Sequence, residues 1–136
     1  MKKIAIAVAA LVAAAPSFAD RGGPMKARLS GFQEVPVVVT SASGDFEARI
    51  ADDEQSITYT LSYSGLQGQV RQAHIHVAQK AVNGAIVLWL CGTTQNPGPT
   101  GTQTCPQEGM VTGTLTAANL QAPGPQQVAD FADVLD

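Results

Sequence analysis

The stretch Ser56-Ile-Thr-Tyr-Thr-Leu-Ser-Tyr63 decides the fold. Large apolar side chains alternate with Ser and Thr, so one face of an extended chain is apolar and the other is polar. This period of two residues is typical of a β-strand that packs one face against a core. The preceding run, residues 44–50, alternates in the same way, and the acidic triplet 52–54 joins the two runs. The pair is predicted to form an antiparallel hairpin.

Five more runs have strand character, at residues 25–29, 34–40, 70–77, 86–91 and 110–116. Gly, Pro, Ser and Asn separate them, as turn residues do in all-β proteins. Residues 86–90 are all apolar, which predicts a central strand covered on both faces, with Trp89 in or beside the core. Seven strands predict an antiparallel β-sandwich. Residues 126–136 carry apolar side chains at helical spacing and predict a short C-terminal helical segment.

The first 19 residues have the composition of a secretory signal peptide. Lys2 and Lys3 precede an uncharged run at residues 4–15, and the small residues Ser17 and Ala19 suit signal peptidase. The run has twelve residues, whereas a bilayer span takes about 20. Cleavage after Ala19 is therefore predicted. It leaves a single domain over residues 20–136 that has no membrane span and is periplasmic or secreted.

The charge and the motifs exclude several function classes. Loss of Lys2 and Lys3 with the signal peptide changes the formal net charge from −3 to −5. Such a chain lacks the basic surface that nucleic-acid binding requires, so no nucleic-acid partner is predicted. The sequence also holds no Gly-x-Ser-x-Gly, no His-Glu-x-x-His and no phosphate-binding glycine loop after a strand. No enzymatic activity is predicted.

The two cysteines, Cys91 and Cys105, both lie in the exported part of the chain. Cysteines of exported proteins are commonly oxidised in pairs, so a disulfide between them is predicted. Metal thiolates or a redox couple are the alternatives, although the wide spacing lacks the Cys-x-x-Cys form. The segment between the cysteines is rich in Gly, Pro, Thr and Gln and predicts a loop, which the disulfide would hold in place.

Several motifs, in order along the chain, resemble the CHRD domain family, which is named after repeats in chordin and is also found in exported bacterial proteins. Leu29-Ser-Gly-Phe-Gln-Glu-Val-Pro36 resembles the opening of such a domain, and Ala73-His-Ile-His76 resembles its most recognisable motif. Leu90-Cys91 and Cys105-Pro106 match as well. The resemblance covers roughly residues 26–135. It implies an immunoglobulin-like or superoxide-dismutase-like β architecture, and a biochemical role that is undefined for bacterial members.

The resemblance also implies an ending that this sequence lacks. A typical member continues into a further strand pair with a His and a Gly-Glu-Ile-Arg-Gly-like ending, whereas this sequence stops at Asp136. The expectation is a domain that lacks its C-terminal strands and exposes an unpaired sheet edge. Dimerisation or poor solubility would follow from such an edge.

His74 and His76 are the two histidines of the chain. They stand two residues apart on a predicted strand, so their side chains project from one face. Such a pair can present imidazoles to copper or zinc, and residues 65–76 have a short similarity to copper-zinc superoxide dismutase. A zinc site takes three or four protein ligands, and Asp45, Glu47 or Glu34 could complete it. The alternative is that both histidines only form hydrogen bonds on a half-exposed strand.

Two functions follow from these observations. The first is a non-enzymatic exported module that binds a protein or a cell-surface component through its loops or a sheet edge. The second is a copper- or zinc-binding protein that uses His74 and His76 as ligands. Replacement of both histidines distinguishes the two functions, because only a metalloprotein would lose its ion.

Overall fold

The computed structural model describes residues 24–78, 82, 84–121 and 130–135. The predicted signal peptide, its cleavage site and residues 126–129 and 136 of the predicted helical segment lie outside these residues. Within them the chain forms six strands in two sheets: β1 Pro24–Ser30, β2 Ser43–Ile50, β3 Ser56–Ser64, β4 Ala73–Val77, β5 Ala85–Cys91 and β6 Gly109–Thr116. The predicted antiparallel β-sandwich is confirmed. In this described part, no helix has the length and apolarity needed to cross a membrane.

The larger sheet contains four antiparallel strands in the order β1-β2-β3-β6. Its centre is the predicted hairpin, in which Ile50 of β2 lies opposite Ile57 of β3 and Phe46 lies opposite Leu61. Residues opposite each other in a sheet point to the same face. The register therefore puts the apolar side chains of both strands on one side, as their alternation predicted.

Strands β4 and β5 form the smaller sheet, with two irregularities in their register. Val87 and Leu88 of β5 are both completely buried, although neighbouring side chains of a strand point to opposite faces. The prediction that both faces of this strand are covered is confirmed, and Trp89 is half-buried beside the core. The predicted central position is wrong, because β5 pairs with β4 alone among the described strands. The amide of Gln121, outside any strand, donates a hydrogen bond to the Val87 carbonyl (2.8 Å).

Residues 34–40 do not form the predicted strand. A 3₁₀ turn at Gly31–Gln33 precedes them, and the amide of Val38 donates a hydrogen bond back to the carbonyl of Gly31 (2.8 Å), so the segment folds onto itself. Pro36 has no amide hydrogen to give to a neighbouring strand. Gly31 suits this close approach, because a Cβ atom there would overlap the Val38 carbonyl oxygen.

The core lies between the sheets and is formed by apolar side chains of β2, β3, β5 and β6 together with Phe131 and the two cysteines. Its other buried members are Ala48, Ile50, Ile57, Tyr59, Leu61, Val87, Leu88, Leu90, Val111 and Leu115. Phe131 directly precedes the helical turn α1, Ala132–Leu135, which lies within the described part, residues 130–135, of the predicted helical segment.

The smaller sheet covers only part of the larger one. Met25 and Leu29 of β1 lie opposite the buried residues Ala48 and Gly44, so their side chains point to the core face of the sheet. They are nevertheless 43% and 40% exposed. Among the described residues, no strand pairs with the outer edge of β1.

Candidate functional site

Three connections meet at one end of the sandwich, which we call the loop end: residues 31–42, 65–72 and 92–108. β1 and β3 end here and β2 and β6 begin here, because neighbouring strands are antiparallel. In the smaller sheet β4 begins and β5 ends at the same place, with Ala73 opposite Cys91. The two connections that run between the sheets, residues 65–72 and 92–108, touch each other, since the amide of Val70 donates a hydrogen bond to the Gln107 side chain (3.1 Å). Loops gathered at one end of a sandwich are a common position for binding residues.

Cys91 and Cys105 form the predicted disulfide, with an S–S distance of 2.05 Å. It joins the end of β5 to the disulfide loop, residues 92–108. Main-chain hydrogen bonds beside the disulfide also hold the two ends of this loop together. The amide of Cys105 donates to the carbonyl of Gly92 (2.8 Å), and the amide of Gly92 donates to the carbonyl of Gln103 (2.9 Å). A segment without apolar periodicity is thus fixed by one covalent bond and by its own main chain.

Tyr59 fastens the disulfide loop to the core. Its phenol donates a hydrogen bond to the carbonyl of Leu90 (2.7 Å) and accepts one from the side chain of Gln103 (2.7 Å). The same Gln103 amide also donates to the carbonyl of Thr112 (2.9 Å). Burial raises the pKa of Tyr59 above its ordinary value of 10.0, and the hydrogen bond with Gln103 opposes part of this rise. The phenol is therefore uncharged at neutral pH and acts as a structural hydrogen-bonding group.

A polar groove with a volume of about 610 Å³ lies between residues 69–71 and the two ends of the disulfide loop. Its lining contains four amide side chains, one guanidinium and one hydroxyl, above Val70 and Cys105. These polar residues are Gln69, Gln95, Asn96, Gln107, Arg71 and Thr93. No carboxylate is among the residues that line it. The groove therefore presents hydrogen-bond donors and acceptors with one positive charge.

The walls of the polar groove are held by hydrogen bonds between its two sides. The Gln107 side chain accepts from the amide of Val70 and donates to the carbonyl of Gly68 (2.9 Å). The hydroxyl of Thr93 donates to the carbonyl of Arg71 (3.0 Å). These bonds also explain why the strand predicted at residues 70–77 begins only at Ala73, since the Val70 amide is taken by a side chain.

The connection between β1 and β2 presents apolar side chains to solvent. Phe32 is 71% exposed, Val37 59% and Val39 82%, and Val35 and Val38 are exposed as well. We call residues 31–40 the apolar loop. The hydrogen bond between Val38 and Gly31 brings the main chain of the two sides of this loop together, so Phe32 and the valines are exposed on one short connection.

His74 and His76 lie on β4 with their ring centroids 4.5 Å apart and their planes at 81°. His74 also meets Trp89 edge to face, at 5.8 Å between centroids, and its Nε2 atom is 3.2 Å from the side-chain Nε2 atom of Gln72. Burial lowers the pKa of His74 below 6.5, and the charge of His76 lowers it further. His74 is therefore an uncharged imidazole near neutral pH, and the side-chain amide of Gln72 can donate a hydrogen bond to its Nε2.

The carboxylates suggested as further metal ligands do not join this pair. Within the described ranges, no three His, Cys, Asp or Glu side chains are grouped so that they could hold one metal ion. Glu47 instead pairs with Lys26 across β1 and β2 (2.7 Å), and Asp45 and Glu34 belong to no such group. Two imidazoles fall short of the three or four protein ligands of a zinc site, so this donor set does not fit a complete site.

The motifs on these strands and loops correspond to a known family. The family model for the CHRD domain matches residues 25–129. The chain belongs to the CHRD domain family. The match runs from β1 through β6, so it includes both sheets and the loop end of this CHRD domain. No match was found among curated proteins or among solved structures.

Sequence patterns did not identify the polar groove of this CHRD domain. Its side chains come from two connections that have no apolar periodicity, and Gln107 and the disulfide bring them together. The available signal was compositional, because Gln occurs three times in each of the two connections, residues 65–72 and 92–108. A count of such residues does not show which of them share a cavity.

Proposed function

We propose that this CHRD domain is a non-enzymatic binding module of an exported protein, and that its loop end contacts a protein or a cell-surface component. The apolar loop is the observation that carries the proposal. Export is supported by the leader-like composition of residues 1–19 and by the disulfide, which is typical of oxidising compartments. The lack of catalytic sequence motifs supports a non-enzymatic role.

The apolar loop costs free energy as long as it faces water. Isolated exposed apolar residues are common on protein surfaces, whereas contiguous groups of them mark contact sites. Phe32, Val37 and Val39 each expose more than half of their surface. Covering one such side chain contributes about 1.5 to 3 kcal/mol, so a partner that buries all three gains several kcal/mol.

The charges around the apolar loop favour a protein over a lipid surface as the partner. Segments that bind anionic membranes combine apolar side chains with Lys or Arg. Residues 31–40 contain Glu34 and no basic residue, and the chain as a whole carries a formal charge of −3. A partner protein with an apolar patch of its own fits this loop better than an anionic bilayer.

Site-specific photo-crosslinking tests the proposal. A photoreactive residue is placed at Val39, and in a control protein at Thr58, an exposed strand position. Both proteins are incubated with the exported fraction of the producing cells. We expect a saturable adduct from position 39 that unlabelled protein competes away and that Phe32→Ser/Val37→Ser weakens. Equal adducts from position 58, or no adduct from position 39, would contradict the proposed contact.

Copper or zinc binding through His74 and His76 is the second candidate function. The closeness of the two imidazoles favours it, while the missing third ligand limits it to a weak, exchangeable complex. Titration of the purified protein with Cu(II) or Zn(II) should then give histidine-dependent binding that disappears in His74→Ala/His76→Ala. Identical metal binding by parent and double variant would remove this candidate.

A further inference from the structure

The polar groove differs in chemistry from the apolar loop, although both lie at the loop end. Its volume of about 610 Å³ is within the range of about 300 to 1,000 Å³ that is usual for small-ligand sites. Its polar side chains do not come from one strand or one turn, but from both sides of a cleft. The groove can therefore contact a ligand from two sides rather than from one.

The groove is held open by main-chain and side-chain bonds that a ligand need not break. Gln107 holds Gly68 and Val70, Thr93 holds the main chain of Arg71, and the disulfide fixes the far wall. A cleft that is already formed loses less conformational entropy when a ligand binds.

Other polar groups in the groove remain available to a ligand. The guanidinium of Arg71 pairs with no carboxylate among the described residues, where the ion pair found is Lys26–Glu47. The side chains of Gln69 and Asn96 likewise have no hydrogen-bond partner among these residues. Each of these groups can bond a ligand without losing a bond inside the protein.

The side chains of the groove favour one class of ligand and disfavour others. Arg71 can form a two-pronged contact with one carboxylate, and the amides both donate to and accept from hydroxyl groups. A densely charged polyanion is disfavoured, because the groove has one cation and the chain is negatively charged overall. An extended peptide would need pockets for alternate side chains, whereas the apolar lining is limited to Val70 and the disulfide.

We propose that the polar groove binds a sparsely charged acidic saccharide, with the sugar carboxylate on Arg71 and the hydroxyl groups on Gln69 and Asn96. This site uses residues different from those of the apolar loop, so either proposal can fail without the other.

Calorimetric and NMR titrations of the purified protein test the groove. The probes are galacturonic acid, glucuronic acid and sialyllactose as acidic saccharides with one carboxylate each, maltotriose as a neutral one, and a tetrapeptide with a free carboxylate. We expect saturable binding of at least one acidic saccharide, at least tenfold weaker binding of maltotriose, and shifts of the amide signals of residues 69–71 and 95–96. Arg71→Ala should weaken binding about tenfold or more, because a hydrogen bond to a charged group is lost.

Matched variants separate the groove from other effects. Arg49→Ala removes a cation from the exposed face of β2 and should leave binding unchanged, as should Phe32→Ser/Val37→Ser in the apolar loop. Gln69→Ala/Asn96→Ala should weaken saccharide binding without a change of charge. The proposal is overturned if none of the three acidic saccharides saturates the protein, if Arg71→Ala binds as the parent does, or if the tetrapeptide binds more tightly than every saccharide.

Discussion

The disulfide loop and the apolar loop are both long connections at the same end of the sandwich, and they are held in opposite ways. The disulfide loop is fixed by Cys91–Cys105, by main-chain bonds at Gly92 and by the side chain of Tyr59. The apolar loop is closed by hydrogen bonds to the carbonyl of Gly31 and keeps its largest side chains in water. Stability therefore depends on the first loop, while the second retains an apolar surface that folding does not use.

Among the changes that test this contrast, removal of the disulfide should have the largest effect on the free energy of unfolding. The bond joins residues 14 apart in sequence, and closing a loop of this size is worth about 3 kcal/mol in the chain-entropy description. Cys91→Ala/Cys105→Ala should therefore lower the free energy of unfolding by about that amount in urea denaturation. Reduction of the parent protein with a thiol should reproduce the loss. Unchanged stability would mean that the hydrogen bonds of Gly92 and Tyr59 hold the disulfide loop by themselves.

Tyr59→Phe should have the next largest effect, because it removes the phenol that joins Leu90 to Gln103. A buried carbonyl left without its donor costs about 1 to 3 kcal/mol. Urea denaturation of Tyr59→Phe, Gln103→Ala and the double variant measures the loss and the coupling between the two side chains. Tyr63→Phe is the matched control, since its phenol bonds to Pro106 in a less buried position. Strict additivity of Tyr59→Phe and Gln103→Ala would show that their contact does not hold the loop.

The titration of His74, which contacts Trp89, should have a smaller effect on the free energy of unfolding. Trp89 in turn lies against Gly98 of the disulfide loop, where the positive φ of 67° and the indole leave no room for a Cβ atom. The pKa of His74 is lowered in the folded protein, so the unfolded chain binds a proton at higher pH than the folded one. Stability is then fully present above about pH 6.5 and decreases as the pH falls through the folded pKa.

Urea midpoints measured between pH 8 and pH 5 check this pH dependence. His74→Gln should flatten the profile, and His76→Gln should shift the titration of His74 toward its ordinary pKa, because it removes the neighbouring charge. A profile that His74→Gln leaves unchanged would assign the pH dependence to other groups.

The contrast between the loops also shows which parts of the fold can be predicted from sequence patterns. The hairpin of β2 and β3 was predictable, because its alternation has the period of a half-buried strand and both strands pair along their whole length. Residues 34–40 have the same β-branched character, yet Pro36 and the hydrogen bond between Val38 and Gly31 turn them into a loop. Apolar composition alone does not show whether a segment finds a strand to pair with.

The candidate sites differ in the same way, because one was predictable from local sequence and the other was not. The closeness of His74 and His76 followed from their spacing on one strand, which is a local property. The polar groove depends on contacts between separate connections, such as the bonds of Gln107 to Gly68 and Val70. Such contacts are set by tertiary structure and leave no periodic signal in the sequence. The disulfide was predictable because the sequence has two cysteines, which allow a single pairing.

Truncation of the apolar loop should give the smallest effect on stability. Val37→Ala/Val39→Ala removes apolar groups that are exposed in the folded protein, so the free energy of unfolding should change by no more than about 0.5 kcal/mol. Val87→Ala makes the same chemical change at a completely buried position and should cost about 2 kcal/mol through lost burial and a new cavity. Parallel urea titrations of the two variants measure the contrast. A loss in Val37→Ala/Val39→Ala close to that of Val87→Ala would mean that these valines are packed in the folded state, and the apolar loop could not then offer them to a partner.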